Sequence, residues 1–111
     1  MPIALGFAYT EKLKKSNTPV ICILGDGELQ EGQTWESIQT CVHHKIDNLW
    51  AIMDVNDQQC VGAMSDVMDV GDIAKKIESF GAKAIKIEWS VSWVLTPLIF
   101  VKFSQVLIFF H

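Results

Sequence analysis

The sequence predicts an α/β fold in which helices flank a parallel sheet. Segments with helical periodicity alternate with short apolar segments in the order α, β, α, β, α, β, which is typical of parallel strands joined by right-handed crossovers. Residues 20–24 form a continuous apolar run without alternation, as expected for a strand buried on both faces. Residues 48–53 predict a second buried strand of the same kind.

One helix is predicted before the first strand in the sequence, and a second helix after it. Pro2 suits the first turn of a helix over residues 3–15, because a missing N–H group leaves no hydrogen bond unmade there. Lysines lie near the C-terminal end of this helix, where the dipole favours positive charge. A second helix is predicted over residues 32–44. Its apolar residues repeat at helical spacing: Trp35, Ile38, Cys41 and Val42.

A third helix and a third strand complete the pattern. We expect Asp69 to cap the start of the helix and Gly81 to close its end. Residues 83–88 alternate in polarity and predict a strand. The apolar positions of the helix are Val70, Ile73, Ala74 and Ile77.

Composition excludes several classes of function. The 111 residues include 9 lysines, no arginine and 13 acidic residues, and this net charge of -4 argues against nucleic-acid binding. Three cysteines without a C-x-x-C pair favour buried, reduced thiols over a zinc or redox site. The N-terminus lacks the pattern of a signal peptide, so we expect a cytoplasmic protein.

The composition changes sharply at about residue 89. Lys102 is the single charged residue of segment 89–111, which divides the chain into a body, 1–88, and an anomalous apolar tail. Residues 91–110 are long enough to span a bilayer, but Pro97, Lys102 and Gln105 disfavour a membrane anchor. We favour the alternative that a frameshift, an unspliced intron or a truncated gene produced the tail.

Polar residues follow the first two strands at the same edge of the predicted sheet. Asp26 lies between two glycines after the first strand, and Asn56 follows the second. Carboxylate and amide oxygens suit Mg²⁺ or Ca²⁺, and a backbone carbonyl after Asn56 would add a third ligand. Glycines and the N-terminus of the next helix favour phosphate groups. The pattern therefore predicts a seat for Mg²⁺ and a diphosphate.

The same residues carry a resemblance to a known family. Gly25-Asp26-Gly27 followed by 28 residues and Asn56 resembles the signature of thiamine-diphosphate enzymes. The loop Gly-Glu-Leu-Gln-Glu-Gly at 27–32, the pair Trp-Glu at 35–36 and the run Lys-Ile-Asp-Asn-Leu at 45–49 resemble transketolase. The resemblance covers about residues 3–88 and implies a partial thiamine-diphosphate-binding fold. It is nearest to the two-chain transketolases, in which the cofactor-binding and pyrimidine-binding modules are separate polypeptides.

The resemblance implies a role for individual residues. Asp26 and Asn56 would ligate the divalent cation through their side chains, and Gln58 through its backbone carbonyl. Glu31 matches a glutamate that lies at the subunit interface and couples cofactor sites. The cofactor thiamine diphosphate would contact the residues Gly25, Asp26, Gly27, Glu28 and Asn56.

The resemblance also implies a reaction and a partner. The family transfers ketol groups between sugar phosphates in carbohydrate metabolism, including the pentose phosphate pathway. Its catalytic glutamate comes from a pyrimidine-binding module or second subunit, in a dimeric assembly, so none of the 111 residues is expected to be catalytic. The family's sugar-phosphate-binding arginines are absent as well, because this chain has no arginine. We therefore expect the isolated chain to be inactive.

Two alternatives to a transketolase component stay open. Another thiamine-diphosphate enzyme is one, either a 2-oxo acid dehydrogenase component or a deoxyxylulose-phosphate synthase, although residues 30–32 argue against both. The other is a non-catalytic truncated fragment, either a gene remnant or a membrane-tethered chain. Residues 3–8 resemble the helix that follows a glycine-rich cofactor loop in the family, and the sequence lacks that loop. The missing loop and the apolar tail favour the truncated fragment.

Overall fold

A computed structural model describes residues 1–16, 18–55, 58–59, 62–63, 68–91 and 101–109. Helices and strands alternate along most of this length, and a short 3₁₀ turn follows the first strand. The elements are α1 (Pro2–Leu13), β1 (Val20–Gly25), the 3₁₀ turn (Asp26–Gln30), α2 (Gly32–His43), β2 (Leu49–Val55), β3 (Gln58–Gln59), β4 (Gly62–Ala63), α3 (Ile73–Ser79), β5 (Lys83–Val91) and β6 (Val101–Phe109).

The main sheet has the strand order β1-β2-β6-β5, and β3 pairs with β4 in a separate two-stranded sheet. Strands β1 and β2 are parallel neighbours, with Val20 opposite Leu49 and Gly25 opposite Asp54. Strand β6 is antiparallel to both β2 and β5, so β5 runs in the same direction as β2 without pairing with it. The predicted α/β class and its parallel pair of strands are confirmed, and the sheet is mixed because β6 enters it.

Strand β6 comes from the segment that the sequence analysis treated as an anomalous tail. Residues 101–109 are rich in β-branched and aromatic residues, which favour strands. Ile108 lies opposite Ala51 on one side and Ala84 on the other, and it is fully buried between these small residues. The origin of the tail and the division of the chain at about residue 88 stay predictions.

The buried residues of the strands share one face of the sheet. Leu24, Met53 and Ile108 belong to one apolar cluster with Ile38 of α2 and Ile77 of α3. The helices therefore pack on this face. The prediction that β1 and β2 are buried on both faces is wrong, because their burial alternates and only one face of each strand is covered. The opposite face, which we call the bare face, exposes five large apolar side chains: Ile21, Ile23, Trp50, Ile85 and Ile87.

Helix α3 begins later than the sequence analysis predicted. Asp72, rather than Asp69, caps it, because the Asp72 side chain accepts a hydrogen bond from the Lys75 N–H at 3.1 Å. Gly71 has φ of +66°, a left-handed conformation that the helix cannot contain. Asp69 instead accepts a hydrogen bond from the Gly71 N–H at 2.7 Å. Gly81, with φ of +94°, follows the helix as predicted.

Cys22 and Cys41 are free thiols, and Cys41 is buried in the apolar cluster. Burial raises the pKa of the Cys41 thiol from 9.0 to about 12, and the neighbouring Cys22 adds to the shift. Above pH 9 the unfolded chain therefore loses the Cys41 proton while the folded chain keeps it. We expect stability to fall from about pH 9 to about pH 12 for this reason, and not below pH 9.

Urea denaturation at a series of alkaline pH values measures this slope. Cys41→Ala is expected to flatten it relative to the wild-type chain, because the variant has no buried thiol to keep protonated. Equal slopes for the two chains would contradict the prediction.

Candidate functional site

The site lies at the edge of the sheet where β1 and β2 both end. Because these strands are parallel, their carboxyl ends meet there, and Gly25 at the end of β1 is paired with Asp54 near the end of β2. Ligands of open α/β sheets bind at such an edge. Asp26 follows Gly25 directly and begins the 3₁₀ turn. The structure therefore brings the predicted Gly-Asp-Gly turn and the end of β2 together.

Asp26 is the most informative residue of this edge. Its side chain is buried, with 7% of the residue exposed. Its Oδ1 accepts a hydrogen bond from the Gly27 N–H at 2.9 Å, whereas its Oδ2 is buried and has no hydrogen-bond partner among the described residues. A buried carboxylate oxygen without a donor is costly. A divalent cation would satisfy this oxygen, so Asp26 fits the cation that the sequence predicts.

The backbone of the turn is accessible to a phosphate group. A Cβ atom placed on Gly25 or Gly27 would meet no atom of the described structure within 4 Å. Glycine leaves this space open beside the main chain, and a larger residue would fill it. The open space leaves the main chain of the turn free for the approach of the diphosphate that the sequence predicts there.

Glu28 closes the turn with its side chain. Its Oε2 accepts a hydrogen bond from the Gly25 N–H at 2.9 Å, so the carboxylate points back to the start of the turn. Contact between Glu28 and the diphosphate stays a prediction. The hydrogen bond gives the side chain a structural task in holding the turn, a contact that sequence reasoning did not find.

Two side chains of α2 donate hydrogen bonds to two carbonyl groups of the turn. The Thr34 hydroxyl donates to the Glu28 carbonyl at 2.8 Å, and the Trp35 indole N–H donates to the Leu29 carbonyl at 2.8 Å. The Trp35 ring also packs against Phe80, with 6.1 Å between ring centroids. The sequence analysis used Trp35 only as an apolar residue of the helix. Its position in the first turn of α2, next to a threonine, was the signal for this anchoring.

Thr34→Val is expected to weaken the anchoring of the turn. Thr34 is 1% exposed, and valine has nearly the same shape without the hydroxyl donor. We expect a loss of about 1 kcal/mol in the free energy of unfolding, measured by urea denaturation. Thr40→Val is the matched control, because the Thr40 hydroxyl donates to the Glu36 carbonyl at the same 2.8 Å distance but is exposed. Equal losses for the two variants would contradict a special role for Thr34.

The remaining predicted residues have different outcomes. Asn56 lies outside the described residues. Gln58 begins β3 and is paired with Ala63, and the role of its carbonyl as a metal ligand stays a prediction. Glu31 is exposed at the start of α2, where its carboxylate accepts a hydrogen bond from the Gln33 side chain. Its place at a subunit interface is likewise a prediction.

Asp54 is a residue of this edge that the sequence analysis did not assign to the site. Its Oδ1 is buried and, within the described part of the chain, has no hydrogen-bond partner. Its position at the end of a buried strand, two residues before Asn56, was the available signal. No group of three or more His, Cys, Asp and Glu side chains among the described residues could hold a metal ion. A cation at this edge would therefore need amide, carbonyl or phosphate oxygens as well.

Comparison with known proteins shows the family of the chain. A family model described as 1-deoxy-D-xylulose-5-phosphate synthase matches residues 1–97. The chain belongs to the transketolase family. It matches the N-terminal, thiamine-diphosphate-binding module of that family, which confirms the resemblance stated from the sequence.

Relatives within the transketolase family include proteins of bacteria and animals. The chain is 38% identical to a subunit of apulose-4-phosphate transketolase from Actinobacillus succinogenes, over 73% of this chain and 29% of the relative. It is 41% identical to human transketolase, over 77% of this chain and 14% of the relative. The chain thus spans less than a third of the length of these relatives.

Within the described ranges, none of the helices combines the length and the apolar character that crossing a bilayer requires.

Proposed function

We propose that the chain binds Mg²⁺ and thiamine diphosphate at the edge formed by Asp26 and the end of β2, as the cofactor-binding part of a transketolase. The observation that carries this proposal is the buried, unpartnered Oδ2 of Asp26 beside the open backbone of Gly25 and Gly27, within the described part of the chain. Thiamine diphosphate, when bound, supplies the nucleophilic carbon that takes up a two-carbon ketol group.

The residues of this chain would bind and orient the cofactor. Asp26, Asn56 and the carbonyl of Gln58 would hold the cation, and the cation would in turn hold the diphosphate. The anchored turn 26–30 keeps the position of Asp26 fixed relative to α2, because α2 side chains donate hydrogen bonds to two carbonyl groups of the turn. A preorganised ligand loses less freedom when the cation binds.

Completion of the reaction requires a partner. We infer that a pyrimidine-binding module or second subunit supplies the catalytic glutamate and the groups that bind sugar phosphates, since this chain has no arginine. The bacterial relative is itself named as a subunit of a transketolase, which supports a division of the enzyme between chains. Glu31, exposed at the start of α2, is the residue that we propose for this interface. A cytoplasmic location is part of the proposal.

Calorimetric titration of thiamine diphosphate into the purified chain tests the proposal. We expect binding in the presence of Mg²⁺ and its loss when EDTA removes the cation. The EDTA arm is the control for binding that does not use the cation. Absence of binding to a chain that is folded by circular dichroism would favour a non-catalytic remnant of the family.

A second candidate function follows from the description of the matching family model, which names 1-deoxy-D-xylulose-5-phosphate synthase. The activity of the assembled enzyme separates the two candidates. With a second transketolase subunit present, we expect transfer of a two-carbon group between sugar phosphates. Formation of 1-deoxy-D-xylulose 5-phosphate instead would favour the synthase.

A further inference from the structure

Asp54 lies beside the proposed cation seat without a known task. It is the register partner of Gly25, the residue directly before Asp26, and neighbouring strands of a sheet are about 4.8 Å apart. Both carboxylates thus lie at the same end of two adjacent parallel strands. Each has one buried oxygen that accepts no hydrogen bond from the described residues, Oδ2 in Asp26 and Oδ1 in Asp54.

The other acidic side chains described near this edge have partners. The Glu28 carboxylate accepts a hydrogen bond from the Gly25 N–H, and the Glu31 carboxylate accepts one from the Gln33 side chain. The third buried oxygen without a partner belongs to Asn48, which precedes β2 at the opposite end of the strand. Asp54 is therefore the second carboxylate of this edge, among the described residues, with a buried oxygen still to be satisfied.

The ion pairs of the described residues do not include either of these carboxylates. They join Lys12 to Asp47, Lys14 to Glu11 and Lys75 to Asp72. Two carboxylates with buried, unsatisfied oxygens at the ends of adjacent strands are unfavourable unless a cation accompanies them. A divalent cation would balance both charges, and Mg²⁺ sites commonly use one or two carboxylates together with phosphate oxygens.

We propose that Asp54 is a second anionic group of the cation seat, and that the seat takes its divalent cation before the diphosphate arrives. This inference rests on the proposed function and deepens it. With Asp26 alone, most of the negative charge around the cation would come from the diphosphate. With Asp54 added, the protein itself supplies two negative charges, and affinity for such cations rises with the number of charged ligands.

Titration of the full chain with Mn²⁺ in the absence of thiamine diphosphate tests this inference, with free Mn²⁺ measured by electron paramagnetic resonance. We expect the wild-type chain to bind the ion, and Asp54→Asn to bind it about 10- to 100-fold more weakly. Asp26→Asn is expected to weaken binding as well. Asp47→Asn is the matched control, because Asp47 is an exposed aspartate before the opposite end of β2.

Each other outcome contradicts a defined part of the proposal. If Asp26→Asn weakens Mn²⁺ binding and Asp54→Asn leaves it unchanged, Asp54 has no part in the seat and the proposed function stands. If the wild-type chain binds Mn²⁺ only when the diphosphate is present, the order of loading is wrong. If neither variant changes binding in either condition, the seat is elsewhere and the proposed function itself fails.

Thermal unfolding in metal-free buffer provides a second, independent measurement. Asp54→Asn keeps the shape of the side chain and removes the negative charge of a carboxylate whose Oδ1 is buried and has no hydrogen-bond partner among the described residues. We therefore expect the metal-free Tm of the variant to be above that of the wild type. Addition of Mn²⁺ is expected to raise the Tm of the wild type by more than that of the variant. Equal increases in Tm on Mn²⁺ addition would overturn the role of Asp54.

Discussion

Asp26→Asn is expected to abolish Mg²⁺-dependent binding of thiamine diphosphate while the chain stays folded. Asparagine keeps the shape of the side chain and can accept the hydrogen bond from the Gly27 N–H through its amide oxygen. It removes the negative charge and places an amide nitrogen, which cannot ligate a cation, at the buried Oδ2 position. We expect the affinity for the cofactor in Mg²⁺ to fall by about 100-fold or more.

Calorimetric titration in Mg²⁺ measures this loss, and circular dichroism checks whether the variant is folded. Glu36→Gln serves as the matched control, because it makes the same change of acid to amide at an exposed position of α2. Retention of wild-type affinity in Asp26→Asn would show that the cation, if present, binds elsewhere.

Ile108→Ala is expected to cause a large loss of stability, although it shortens a single side chain of the tail. Ile108 is fully buried between Ala51 of β2 and Ala84 of β5, so these small neighbours cannot fill the space that the shorter side chain leaves. Truncation of a buried isoleucine to alanine lowers the free energy of unfolding by about 2–5 kcal/mol.

Urea denaturation measures this effect. Ile23→Ala is the matched control, because Ile23 is 72% exposed on the bare face of β1 and loses little burial when it is shortened. A similar, small effect of both variants would mean that β6 does not hold the sheet together. That result would support a tail without a part in the fold.

The central α/β unit could be predicted because its signals are local. The apolar run of β1, its parallel partner β2 and the periodicity of α2 each follow from a few neighbouring residues. The end of α3 was also predictable, because a glycine with positive φ is a common helix terminator. The Gly-Asp-Gly turn was placed at the correct edge for the same reason, since it directly follows β1.

The features that the sequence did not reveal depend on contacts between distant segments. Strand β6 lies between β2 and β5, where Ile108 is opposite two alanines that are far away in sequence. The composition of the tail gives no sign of this pairing. Likewise, whether the Asp54 carboxylate has a hydrogen-bond donor depends on which residues surround it in the folded chain, and the sequence pattern does not contain that information.

The bare face of the sheet has a consequence for the colloidal behaviour of the purified chain. Helices cover one side of the sheet, while Ile21, Ile23, Trp50, Ile85 and Ile87 are exposed to water on the other. A molecule with one polar surface and one apolar surface tends to associate through the apolar surface. A net charge of -4 provides only modest electrostatic repulsion against this association. Warming and sulfate salts strengthen apolar association. Dilute, cold, sulfate-free solutions are therefore the conditions in which every titration described above would report on single molecules.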